Sequence, residues 1–297
     1  MRLTGIAFLA VGLGAMPALA AEPQVLDGAA AFPEGPAFHD GALIYAEYGG
    51  NVVSCIDPET GAKSELWREE GCGPSAVLPL DGRFLVTCYD SGRLEAFGTD
   101  DATTQSWEAD AEGDPLVGPN DATPDGKGGA YVTASGPWES EPIVGRVLHL
   151  DADGVLTTVA DDLHYPNGVA LSPAGDRLFV AESEAGRIIS FAVAEDGSLS
   201  DRRLFVRLAA IDPASGVLPY PDGIEFGPDG ALWIGQFSSG RILAVDPFGE
   251  FLSAVELPAP AAPNLAFTPD GTGFVAVTVD DPAAPPYPGK VLRLELP

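Results

Sequence analysis

The chain is poor in the residues on which several common chemistries depend. It has 3 histidines, 3 cysteines, and 15 Lys and Arg against 44 Asp and Glu, for a formal net charge of −29. A surface this acidic repels phosphate backbones and anionic lipid, so neither nucleic acid nor a membrane is the expected partner. Cys55, Cys72 and Cys88 show no C-x-x-C or zinc-type spacing. No G-x-S-x-G supports a serine hydrolase, and no glycine-rich loop opens a helix to cradle a phosphate. His39, His149 and His164 lie scattered in different settings, so they read as structural or surface groups. Convincing helical periodicity is missing after the first twenty residues, and so is any long apolar run.

The one long apolar run opens the chain. Arg2 supplies a positive start, Ile6 to Met16 an apolar stretch, and Ala18-Leu19-Ala20 a small-residue cleavage site. Those three regions in that order make a secretory signal peptide over residues 1–20, and the run is too short to span a bilayer. The expected mature chain, 21–297, is therefore secreted or periplasmic, in a compartment where disulfides persist. With 36 glycines and 28 prolines set among valines, leucines and aromatics, it reads as many short strands joined by tight turns.

Those strands repeat. "YPNGVALSPAGDRLFVAESEAGRIISF" (Tyr165 to Phe191) has relatives beginning at Phe32, Gly71, Gly118, Tyr220 and Ala262. Each unit holds an alternating run, a Pro or Asp-Gly turn, an apolar run, a Gly-Arg or Gly-Lys turn and a third run. A variable fourth strand such as "SELWRE" or "TQSWEA" follows in most. Period-2 alternation between turns specifies antiparallel strands, and repetition of four-stranded units about every 40–50 residues specifies a β-propeller. Six units use up the chain, which predicts an all-β fold, a single six-bladed β-propeller with four-stranded antiparallel blades. "PQVLDG" (Pro23 to Gly28) is expected to complete the last blade against "KVLRLELP". A β-sandwich would leave the sixfold repetition without a cause.

Pro-Asn-Gly taken singly is a turn signal. In a propeller, however, repeat-equivalent residues at the start of each innermost strand form a ring around the axis. That ring reads Glu34, Gly73, Asn120, Asn167, Asp222 and Asn264, at steps of 39, 47, 47, 55 and 42 residues. Two carboxylates and three carboxamides meet there with no Lys or Arg between them. Buried carboxylates are costly unless balanced, and an oxygen-only set suits a hard divalent cation, Ca²⁺ ahead of Mg²⁺. The absence of His and Cys from the ring argues against zinc.

"FPEGP", "GPND", "YPNGVALSP" and "PDGIEFGPDGALWIGQF" together resemble the family of senescence marker protein (regucalcin), gluconolactonases and luciferin-regenerating enzymes. "GPND" with "PNG" is also similar to diisopropyl fluorophosphatase. The resemblance spans essentially the whole mature chain. It implies that Glu34, Asn167 and Asp222 match metal ligands, and that Asn120 matches a residue binding metal or substrate. Asp222 also matches the carboxylate proposed there as general base or nucleophile. The implied chemistry is metal-dependent hydrolysis of lactones or related small esters, with phosphotriesters in one branch. Asn264 completes the expected substrate contacts.

Two departures narrow the expectation. Gly118 stands where sugar-lactonases of this type carry an Arg. Pro137 or Trp138 stands where they place a sugar-contacting Glu, with Glu139 and Glu141 a short alignment slip away. Trp138 suits either a more apolar substrate or simple packing in a loop. A non-catalytic propeller that binds a ligand or partner, its metal serving only structure, is the alternative. In the repeat frame Cys72 opens the first strand of the second blade and Cys88 ends its second strand. That predicts a Cys72–Cys88 disulfide and leaves Cys55 as a small strand residue. Nothing in the sequence specifies an oligomeric state.

Overall fold

The computed structural model describes residues 22–80, 82–98, 105–138, 142–212 and 219–296. The expected signal, residues 1–20, lies outside the described residues, as do Glu139 and Glu141. Six four-stranded sheets, all antiparallel, follow one another along the chain. The only α-helix among the described residues is one turn, Leu208–Ile211. No helix among them is long and apolar enough to cross a membrane.

The innermost strands are Pro33–His39, Pro74–Leu80, Pro119–Pro124, Pro166–Leu171, Pro221–Phe226 and Leu265–Phe267. Burial falls from the axis outward. The second strand of the sixth blade, Gly273–Val279, is buried at every residue, whereas the fourth strand of the first, Lys63–Arg68, is almost entirely exposed. Middle strands are apolar on both faces because each blade packs against two neighbours. Among the described residues the core divides into six clusters, one per blade interface. Between the first and second blades, for example, Ile44 and Val53 meet Val77, Phe84 and Val86.

The ring closes as the sequence predicts. Gln24–Ala31 pairs antiparallel with Pro288–Glu295 and becomes the outer strand of the last blade. A partly exposed ionic latch reinforces that seam. Asp27 accepts from the Tyr45 hydroxyl at 2.6 Å and meets the Lys63 ammonium at 2.7 Å, both across on the first blade.

The Pro-Asn-Gly triplet is not a turn. Pro166–Leu171 is strand from its first residue, and its register with the second strand slips between Pro166 and Val169. The same slip recurs between Pro221 and Ile224, Pro119 and Ala122, and Glu34 and Ala37. Such a β-bulge twists the strand locally and re-aims a side chain, here the residue just after the proline. Proline is tolerated because it is the first strand residue, where its missing N–H breaks no ladder. The turn signal and the bulge signal coincide, since both need residues that leave regular pairing.

The structure also corrects one ring member. The second blade's inner strand begins at Pro74, so the equivalent residue is Ser75 and not Gly73. Gly73 precedes that proline with φ 58°, as Gly118 precedes Pro119 with φ 58°.

Candidate active site

Glu34, Ser75, Asn120, Asn167 and Asp222 line one cavity of about 460 Å³. Trp138 lines it as well. Asn264 is not among the lining residues; its side chain hydrogen-bonds Glu34 from beside it.

Neighbouring blades hold the ring by its main chain, which leaves the side chains to the cavity. Thr87 donates to the Asn120 carbonyl at 2.7 Å, and Thr133 to the Asn167 carbonyl at 2.7 Å. The Ser75 hydroxyl reaches the Asn120 carbonyl at 2.8 Å. Ser135 and Ser183 donate to the Pro166 and Pro221 carbonyls at 2.7 and 2.6 Å. Asn120, Asn167 and Asp222 are therefore fixed, at their own carbonyl or that of the preceding proline, from the blade before. The Asn120 Nδ2 donates to Ser135 at 3.0 Å, leaving its Oδ1 to accept or ligate. Asn167 hydrogen-bonds the Asp222 carboxyl.

The charge balance is one-sided. Burial, then the negative charges of Asp222 and Asp121, push the Glu34 carboxyl well above the usual carboxylate range. Burial and Asp121 do the same to Asp222. Asp121, immediately after Asn120, is raised by burial to about 7 although Ala122 and Val169 donate backbone N–H groups to it. No Lys, Arg or His among the described residues lines the cavity. Among the described residues no group of three or more His, Cys or acidic side chains is arranged to hold a metal. The ring offers two carboxylates and carboxamide oxygens instead. That donor set, unbalanced by any protein cation, fits a hard divalent ion.

Several lining residues escape sequence reasoning. Asp121 sits inside the quoted "GPND" but draws no role from the repeat, because other blades have Gly or an apolar residue there. Aromatic rings make up much of the wall, including Tyr48, Tyr89, Tyr165, Tyr220 and Phe237. Their signal was available: Phe32, Tyr165 and Tyr220 each directly precede the opening proline. A side chain on Gly118 has no room, since a Cβ there would lie 2.8 Å from the Gly136 carbonyl and 2.9 Å from the Tyr89 ring. The three histidines stand apart from the cavity. His164 uses its backbone N–H on Glu182 at 2.9 Å, His149 bonds Asp125 at 2.9 Å, and His39 packs edge-on to Phe84. Cys72 and Cys88 are disulfide-bonded and Cys55 is free, as the repeat frame predicts.

Comparison with known proteins agrees with this geometry. Pentonolactonase XacC of Haloferax volcanii is 26% identical over 247 residues, covering 82% of this chain and 80% of that protein. Lactonase drp35 of Staphylococcus haemolyticus is 28% identical over 232 residues, covering 74% and 67%. Among solved structures, the calcium-binding protein regucalcin from Agrobacterium tumefaciens superposes with a TM-score of 0.77 at 20% identity, covering 93% of each chain. A luciferin-regenerating enzyme gives 0.75 at 20% identity, over 92% of this chain and 95% of that one. At such identities the superpositions speak to the fold alone. The match to the SMP-30/Gluconolactonase/LRE-like region runs over residues 32–279, most of the chain, and with it the chain belongs to that family.

Proposed function

We propose that the protein is a Ca²⁺-dependent hydrolase of lactones or related small esters, with Glu34, Asn120, Asn167 and Asp222 as the cation's oxygen donors. The observation that carries this reading is the convergence of two buried carboxyls and two carboxamides on one cavity that, among the described residues, no protein cation lines. The lactonase names of the relatives support the reaction class, and the regucalcin fold neighbour supports the choice of calcium.

A bound divalent cation supplies electrophilic polarisation of the scissile carbonyl and keeps the donor carboxyls ionised. The chain's own residues do the rest. Asp222, held by Asn167 and clamped at its main chain, takes a proton from the attacking water. The water oxygen bonds to the acyl carbon, the acyl carbon–oxygen bond breaks, and that proton passes to the departing alkoxide. The product is a hydroxy acid, or an acid and an alcohol. Asn264 keeps Glu34 oriented through their hydrogen bond. Water activation is favoured over covalent attack because Asp222 would also hold the cation.

Export through the signal at residues 1–20 belongs to the same proposal, and the Cys72–Cys88 disulfide suits an oxidising compartment.

A panel of lactones and aryl esters, assayed with and without EDTA on wild type, Asp222→Asn and Glu34→Gln, tests the reading. Turnover should fall by at least about 100-fold in each case and return with Ca²⁺ for wild type only. Activity indifferent to chelation and to both substitutions overturns it. Calcium binding with no turnover on any substrate would instead favour a ligand-binding propeller.

A further inference from the structure

Above the ring, the cavity wall is made of aromatic rings in two banks. On one side Phe32 packs against Tyr48 at 5.4 Å, Tyr287 at 5.8 Å and Phe237 at 6.1 Å between centroids. On the other, Trp138 meets Tyr165 at 4.5 Å and Tyr220 at 5.3 Å. Tyr165 donates its hydroxyl to that of Tyr89 at 2.9 Å and so ties the second bank to the adjoining wall.

The backbone holds these rings at a cost. Phe32, Tyr165, Tyr220 and Tyr287 all have positive φ, between 40° and 57°, a region in which a bulky side chain is strained by about 1–3 kcal/mol. Glycine occupies the position equivalent to Phe32, Tyr165 and Tyr220 at Gly73 and Gly118, so the fold does not need aromatic residues there. Strain retained in several residues around one cavity points to the cavity's use.

Three of the wall's tyrosine hydroxyls are committed to protein partners, that of Tyr165 among them. The Tyr48 hydroxyl donates to Asp90 at 2.9 Å and the Tyr89 hydroxyl to the Gly136 carbonyl at 3.2 Å. Burial together with Asp90 raises the Tyr48 phenol, and burial raises Tyr89, so both stay neutral. Trp138 remains 48% exposed at the mouth, an indole face without a protein partner covering it fully. A divalent cation would balance Glu34 and Asp222 and leave no excess positive charge for an anion. The protein's net charge of −29 opposes an anion further.

We infer that the substrate is a neutral lactone or ester with an apolar aryl or alkyl body, gripped between the two aromatic banks while its carbonyl meets the ring below. Polyhydroxylated and anionic lactones are poor substrates, because the walls desolvate their polar groups without replacing the hydrogen bonds. This inference rests on the hydrolase reading, and two separate readouts keep the two apart.

The first readout is kcat/KM of the Ca²⁺-loaded protein on 3,4-dihydrocoumarin against glucono-1,5-lactone and its 6-phosphate. Dihydrocoumarin should be preferred at least 100-fold. Trp138→Ala should raise its KM at least tenfold with kcat little changed, and Trp138→Phe should restore most of the loss. The second is calorimetric binding of the unreactive lactam 3,4-dihydroquinolin-2-one to wild type, Trp138→Ala and Tyr220→Leu, with Ca²⁺ affinity measured alongside. The lactam should bind wild type and lose at least tenfold in each variant while Ca²⁺ affinity holds. Lactam binding without any ester turnover would sink the hydrolase reading and leave the aromatic site standing. Turnover with a preference for gluconolactone, or lactam affinity indifferent to both ring variants, overturns the inference itself.

Discussion

Gly168 faces the main chain of Asp222 across the blade interface so closely that a Cβ on it would lie 2.2 Å from the Asp222 carbonyl oxygen. Its backbone lies outside the left-handed region, so close approach and not a special turn demands glycine. The third residue of the triplet thus lets one inner strand approach the next, and the second residues of two blades reach a common cavity. Gly168→Ala should destabilise the fold by about 1–3 kcal/mol, the usual cost of overpacking a rigid core. Thermal unfolding checks that figure, and Ca²⁺ titration of the folded variant should show weakened binding. A wild-type Tm with wild-type calcium affinity would contradict the contact.

The Cys72–Cys88 disulfide joins the segment two residues before the second blade's inner strand, which opens at Pro74, to the end of the strand beside it. With a sequence separation of 16, its removal should cost about 3 kcal/mol, mainly through the freer unfolded chain. Denaturant unfolding of the Cys72→Ser/Cys88→Ser double variant measures this. Alkylation of the denatured, unreduced wild type should label one thiol, Cys55.

The latch at the ring closure responds to acid. Burial pushes the Asp27 carboxyl up, but hydrogen bonds from Lys63 and Tyr45 outweigh it, and the net direction is down. A depressed carboxyl contributes stability that is present above its unfolded value of about 3.9 and lost as pH falls through the lower folded value. Lys63 has the opposite sense. Burial lowers its ammonium, the bonds to Asp27 and Glu47 raise it further, and its contribution fades only at strongly alkaline pH. Asp27→Asn should cost about 1–2 kcal/mol at neutral pH, with solvent at Lys63 screening part of the pair. Urea unfolding from pH 7 down to pH 3 should show wild type and variant converging.

Glu225 lies three residues after Asp222 on the same inner strand and accepts the Phe267 N–H at 3.2 Å. Burial, only partly offset by that bond, pushes its carboxyl up to about 8. Between its unfolded value of about 4.3 and about 8, the folded state therefore holds a proton that the unfolded chain releases, and stability falls as pH rises. Glu225→Gln should remove up to about 1.4 kcal/mol of that loss per pH unit across the window. Parallel Tm curves for the two proteins from pH 5 to 8 would refute the assignment.

The sequence made the propeller legible because a blade cannot bury its two faces alone, so six similar units must carry similar alternation. "YPNGVALSP" and "YPDGIEFGP" therefore betrayed the fold, the ring residues Glu34, Asn120, Asn167 and Asp222, and the pairing of Cys72 with Cys88. The slip from Ser75 to Gly73 came from the same logic. In "GCGPSAV" the proline sits two residues later than the glycine pattern suggests, and only strand pairing shows that Pro74 opens the strand. Counting from Ser75 evens the first two steps to 41 and 45 residues. Periodicity carries information about which face a residue occupies, but not about what approaches it from another blade. The tertiary structure decided that the triplet is a bulge, that Asn264 stands beside Glu34 outside the cavity lining, and that Tyr89 fills the space next to Gly118. It also gathered rings from positions as distant as Phe32 and Tyr287 into one wall. Those relations depend on contacts between residues far apart in the chain, and no local pattern encodes a distance across the propeller axis.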